Sequence, residues 1–150
     1  MSNNRCLLIL LAAGFVGGCS SEAMKGVYAE GGHMGTIGLG LPMRDEVHFS
    51  QPGFDDTALT RVYPSLLKLK VRFISFENVP ITDSSIQLIR ELGTIEELVF
   101  IDTQVTITGI SKLKGMPRLR RLLLDGRRYT EEQVEQLRHD MPAVEILVFT

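Results

Sequence analysis

The residues that could do chemistry in this chain of 150 are two cysteines, three histidines, a few clustered aspartates and a run of arginines. Their spacing excludes most of what those types can do. His33, His48 and His139 stand at no metal-ligand spacing from one another or from Cys6 and Cys19, and two cysteines are too few for a four-cysteine zinc site or a disulfide framework. No serine or cysteine nucleophile motif is present. His48 and Ser75, on segments that fall beside each other, are the nearest approach to a dyad, and nothing supplies an oxyanion site. Asp55, Asp56 and Asp83 lie where helices begin, on solvated faces, which suits capping rather than calcium. The glycine run Gly35-Thr36-Ile37-Gly38-Leu39-Gly40 has no strand before it, no helix after it and no closing Lys-Ser/Thr pair, so it is not a phosphate loop. No catalytic residue, metal or cofactor is expected, and the protein reads as a non-enzyme. A formal charge of −2 argues against a nucleic-acid partner.

Cys19 is the exception. Residues 1–20 read MSNNRCLLILLAAGFVGGCS, with one cation (Arg5) and an uninterrupted apolar run from Cys6 to Val16. The run is too short for a membrane-spanning helix, which takes about 20 residues, and it fits the apolar middle of a secretory signal. The stretch Val16-Gly17-Gly18-Cys19 resembles the lipobox of bacterial lipoproteins, with Val where Leu is commoner. That resemblance implies removal of a signal peptide over 1–18, acylation of Cys19, export and attachment to a bacterial membrane. Ser20, where Asp often marks inner-membrane retention, implies the outer membrane, on its periplasmic or surface face. Residues 19–45 then read as the lipidated Cys and a glycine-rich tether, because ten of the 14 glycines fall in residues 1–54 and such density leaves no helical or strand period. A second option is that part of this stretch docks on the domain as a cap, through apolar residues such as Val27, Met34 and Leu41.

From Glu46 the chain repeats itself. Val47-His48-Phe49, Ile74-Ser75-Phe76, Leu98-Val99-Phe100, Leu122-Leu123-Leu124 and Leu147-Val148-Phe149 align, with steps of 27, 24, 24 and 25 residues between their last members. Val71, Ile95, Leu119 and Val144 precede the pairs at a fixed distance, and Phe54, Ile81, Val105 and Tyr129 follow them. A polar element comes next: Asp55-Asp56, Thr82-Asp83, Thr106-Ile107-Thr108, Thr130-Glu131. The pattern L-x-x-L-x-L, the Thr-Asp element and Pro117-x-Leu-x-x-Leu122 resemble the leucine-rich repeat family over 46–150. Val79, Thr103 and Arg127 stand where that family often has Asn, Cys or Thr, so its internal hydrogen-bond ladder is weak or absent.

Elementary periodicity agrees. Each L-x-L is a short strand of period two. Ile86, Leu88, Ile89 and Leu92, then Ile110, Leu113 and Met116, then Val134 and Leu137 are helical stripes, and Thr130 to Gln133 is a capping box. The expected fold is α/β: a short leucine-rich-repeat solenoid with five parallel strands on its concave face and helices on its convex face. The concave face would present Phe73, Glu97, Val99, Ile101, Arg121, Leu123, Ile146 and Val148, an apolar surface with Glu97–Arg121 as its polar element, and exposed apolar patches mark interaction surfaces. The resulting expectation is a lipid-anchored module that binds a protein or peptide partner at the cell envelope. Two alternatives stand beside it. One is a structural component that self-associates through the unpaired last strand. The other is a receptor for an anionic glycan using Arg118, Arg120, Arg121, Arg127 and Arg128, although nearby acidic residues favour an ion-paired surface there.

Overall fold

The alternation of Val, Ile, Leu and Phe with polar residues makes strands, and the Thr- or Asp-led segments between them make helices. In the computed structural model, which describes residues 18–37 and 41–150, the order is α1 (Gly18–Ala29), β1 (Gly32–Ile37), β2 (Leu41–Phe49), α2 (Asp56–Leu69), β3 (Phe73–Glu77), α3 (Ile86–Glu91, entered through a 3-10 turn at Asp83–Ser85), β4 (Glu97–Ile101), α4 (Ile107–Ser111), β5 (Arg121–Asp125), α5 (Glu131–Asp140) and β6 (Glu145–Phe149). The six strands form one α/β sheet in sequential order. β1 pairs antiparallel with β2, and β2 to β6, the five expected strands, are parallel. The sheet is open and not curled, so the surface expected to be concave is described below as the helix-free face.

The core lies between the sheet and the helices. Phe49, Phe76 and Phe100 occupy one register column and stack along it, with ring centroids 5.6 Å apart at each step. Phe54 lies 4.0 Å from Phe49. Ile74, Leu98 and Leu122 form the neighbouring column, and the helical stripes (Ile86, Ile89, Ile110, Leu113, Val134, Leu137) close over both. Truncating a buried phenylalanine of this kind typically costs about 3–5 kcal/mol.

The helix starts are tied to one another. Asp55, Thr82, Thr106 and Thr130 are the caps, and each side chain accepts from a backbone N–H of its own first turn. The residue after the cap reaches the next unit. Asp56 accepts from the Thr82 N–H (2.9 Å), the Thr82 hydroxyl (2.7 Å) and the Ser85 hydroxyl. Asp83 repeats this with the Thr106 N–H (2.7 Å) and hydroxyl (2.6 Å). Ile107 stands where the next carboxylate would be, and Thr130 is held instead by its own Gln133.

Two expectations are corrected. The stretch 19–45, read as a tether, carries most of α1, all of β1 and the start of β2. Ala23 and Val27 of α1 and Met34 of β1 are buried in the core, and β1 is a strand of the sheet. The docked-cap option is the one that matches. Gly18 apart, the expected signal segment lies outside the described residues, as do Gly38, Leu39 and Gly40. The second correction concerns the last unit. β6 pairs Glu145 with Arg121, Leu147 with Leu123 and Val148 with Leu124. The final step is therefore 24 residues, not 25, and a one-residue change of phase exchanges the two faces of a strand. Ile146 and Val148, expected on the helix-free face, belong to the core columns, and Leu147 and Phe149 take their place.

Candidate functional site

Parallel pairing without offset aligns the helix-free face in rows. Glu46, Phe73, Glu97, Arg121 and Glu145 form one row, and His48, Ser75, Val99, Leu123 and Leu147 the next. Glu77, Ile101, Asp125 and Phe149 form the third. The apolar members collect toward β6. Val99 is nearly buried, Ile101 and Leu123 are half-buried, and Leu147 and Phe149 are 40% and 60% exposed. Of the residues expected on this face, Phe73, Glu97, Val99, Ile101, Arg121 and Leu123 are brought together there. Ile146 is in the core at 4% exposure, and Val148 faces the helix layer at the open end of the sheet. Leu147, Phe149 and Glu145 were missed. The constant step from Phe73 to Glu97 to Arg121 points to Glu145 and was the available signal.

The polar border of the patch is built around Arg121, whose guanidinium donates to Glu97 (3.0 Å) and to Glu145 (2.9 Å). The bond to Glu145 and both negative charges hold its pKa above the usual value. One residue earlier on each strand, Arg72 donates to Glu96 (2.7 Å) and to Asp45 (3.4 Å). These groups and Phe73 surround an open depression of about 370 Å³. Asp125 marks the opposite border. Its carboxylate is nearly buried and accepts from the Arg127 side chain (3.0 and 2.8 Å) and N–H (3.0 Å) and from the Asp102 N–H. These bonds, Arg127's side chain first, hold it down to about 2.

The remaining expectations resolve by geometry. His48 bonds to Glu46 (3.0 Å) and packs on the Phe73 ring, while Ser75 donates to Glu77. Each is engaged on its own strand, and the pair is not assembled as a dyad. Among the described residues no three His, Cys, Asp or Glu converge to hold a metal. The arginines close in sequence are split in space, because β5 separates Arg118, Arg120 and Arg121 at one end from Arg127 and Arg128 at the other, and the strand alone spans about 13 Å. Arg121 and Arg127 are ion-paired. The Thr103 hydroxyl is buried without a partner. Cys19 lies in the first turn of α1. No helix among the described residues is long and apolar enough to cross a membrane. A scan against protein-family models finds no match to this chain, and a search of curated proteins finds none either.

Proposed function

We propose that this protein is a non-enzymatic, lipid-anchored module of the leucine-rich-repeat kind that binds a protein or peptide at the bacterial cell envelope through its helix-free face. The observation that carries this reading is the graded apolar patch Val99, Ile101, Leu123, Leu147 and Phe149, bordered by Glu97–Arg121–Glu145. Its exposed part, Leu147 and Phe149, has no evident role in stabilising the fold, and apolar patches with charged rims suit protein partners. Acylation at Cys19 would place the anchor in the first turn of a helix packed on the domain. The module would then stand against the membrane surface, the outer membrane by the Ser20 pattern, rather than hang from a long tether.

Photo-crosslinking from position 149 of the full chain in cells tests the face. A specific envelope protein should be captured, and capture should be lost in an Ile101→Glu/Leu123→Glu variant that retains its circular dichroism spectrum. Undiminished capture by that variant overturns the assignment. For the anchor, a fatty-acid probe should label the chain and fail to label Cys19→Ser.

A further inference from the structure

We propose that the edge of β6, which has no strand neighbour among the described residues, receives a second copy of this chain, the two β6 strands running antiparallel about a twofold axis at Leu147. The hydrogen-bond parity fixes which groups are available. Glu145 donates its N–H to Arg120, and Phe149 accepts from the N–H of Gly126. In a parallel ladder the odd-numbered residues of β6 thus face β5, and the N–H and C=O groups of Ile146 and Val148 point to the open edge. Among the described residues one group reaches them: the Arg138 guanidinium donates to the Ile146 carbonyl at 3.0 Å. A twofold axis at Leu147 sets Ile146 opposite the partner's Val148 and Val148 opposite the partner's Ile146. All four N–H groups then find carbonyls, and Leu147 meets the partner's Leu147 on the helix-free face.

The helix layer decides between a second copy and a lone peptide strand. At this end Val148 is 36% exposed, and Glu131, Val134 and Arg138 of α5 line a depression of about 320 Å³ with Tyr129 and Val148. A peptide strand would satisfy the backbone edge and leave this side open. A second copy brings its own α5. A crossover helix lies over the strands it joins, so strand spacing of about 4.8 Å puts the two α5 axes about 10 Å apart, a normal helix-packing distance. The twofold axis makes them antiparallel. Glu131, Val134 and Arg138 fall on one side of α5 at helical spacing. Glu131 therefore faces the partner's Arg138 and Arg138 faces the partner's Glu131, above Val134, which is already buried in each chain's core. The helix is self-complementary, acidic in its first turn and basic in its last. Arg138, which also donates to Glu135 of its own helix, exchanges the Ile146 carbonyl for the partner's Glu131, so the residue that shields the edge in a single chain joins the contact in the pair. This assembly does not rest on the envelope partner proposed above: it is held by the strand edge and α5 and shares with the binding face only the β6 end of the patch, around Leu147.

The test is sedimentation equilibrium of the full chain in density-matched nonionic detergent, with variants chosen to leave the fold intact. The wild type should dimerise below about 100 µM. Val148→Pro removes an N–H that β5 does not use, so it should keep the circular dichroism spectrum and weaken dimerisation by at least about tenfold. Glu131→Arg and Arg138→Glu should each weaken it, and the double variant should restore it. Leu147→Cys should form a disulfide-linked dimer on oxidation beyond any formed by the wild type, since paired residues at that register lie about 4.5–5.5 Å apart. A chain that stays monomeric at that concentration, a Val148→Pro dimer as tight as wild type, or no recovery in the double variant overturns the proposal. So does a Leu147→Cys variant whose new thiol crosslinks to a different protein and not to a second copy, which would assign the edge to a foreign strand.

Discussion

Removing the Asp56 carboxylate tests whether the units are held together by the bonds between their helix starts. Asp56 is half-buried and accepts three hydrogen bonds from the next unit, two from Thr82 and one from Ser85. In Asp56→Ala the Thr82 groups can turn to water, because Thr82 is only partly covered. Ser85 is 1% exposed and cannot. Bonds to a charged acceptor contribute about 1.5–3 kcal/mol, and a buried group left unpaired costs about 1–3 kcal/mol. The expected loss is about 2–4 kcal/mol, read by urea denaturation followed by circular dichroism, since the chain has no tryptophan. A second measurement isolates the cause. Ser85→Ala in the Asp56→Ala background removes the orphaned hydroxyl, so the double variant should be less destabilised than the sum of the singles. pH supplies a third. Burial raises the Asp56 pKa, but the bonds from Ser85 and Thr82 outweigh it and the net shift is downward. A carboxylate depressed in the folded state contributes stability above its unfolded pKa of 3.8 that is lost as the pH falls through the lower folded value. Wild type and Asp56→Ala should therefore converge in acid. A loss below about 0.5 kcal/mol at neutral pH, or strict additivity with Ser85→Ala, would refute the account.

Three further outcomes are expected. Asp125, held to about 2, should make stability fall as the pH drops from 3.8 through that value, and Asp125→Asn should flatten this part of the acid denaturation curve. Thr103→Val replaces a buried, unpartnered hydroxyl by a methyl group and should raise stability by about 1 kcal/mol in urea. A Cβ at Gly109 would collide with the Asp83 carboxylate and push it off Thr106, so Gly109→Ala should destabilise the wild type and do much less harm in an Asp83→Ala background.

The repeat was legible because its physical causes are local. A cap residue at 82, 106 and 130 must be able to accept from its own first turn, and threonine does so each time. The apolar pairs must fall on the core side of a period-two strand, which fixes Ile74 and Phe76, Leu98 and Phe100, and Leu122 and Leu124. What could not be read locally is the second use of the acidic residue after the first two caps, Asp55 and Thr82. The side chains of Asp56 and Asp83 are spent on residues 26 and 23 positions away, and nothing in a single helix start requires that. The glycines before Glu46 misled for a related reason. Their density suggests a linker, yet a side chain at Gly26 would collide with Ser65 of α2, and one at Gly32 with Phe49 and Val27. They are small because α1 and β1 lie close against the domain.

The face was legible up to its last strand, and the failure there has a definite cause. In β3 to β5 each apolar pair is phased by a polar neighbour on the helix-free side: Glu77, Glu97, Arg121 and Asp125. β6 has the arrangement of β4, four apolar residues after a single glutamate, so its phase rests on Glu145 alone and a match made on the aromatic residue overrides it. Matching the Phe149 side chain to Phe49, Phe76 and Phe100 sets the phase one residue late. Pairing with β5 sets it by backbone registry instead, and the Arg121–Glu145 bond joins the two strands in that register. The edge strand is informative for another reason, its place in the sheet. It is apolar on both faces, with Leu147 and Phe149 on one side and Val148 on the other, at the edge where the sheet has no further described neighbour. Apolar side chains on both faces of an edge strand are what continuation of both layers would bury, the sheet face against a neighbouring strand's face and the core side beneath a neighbouring helix.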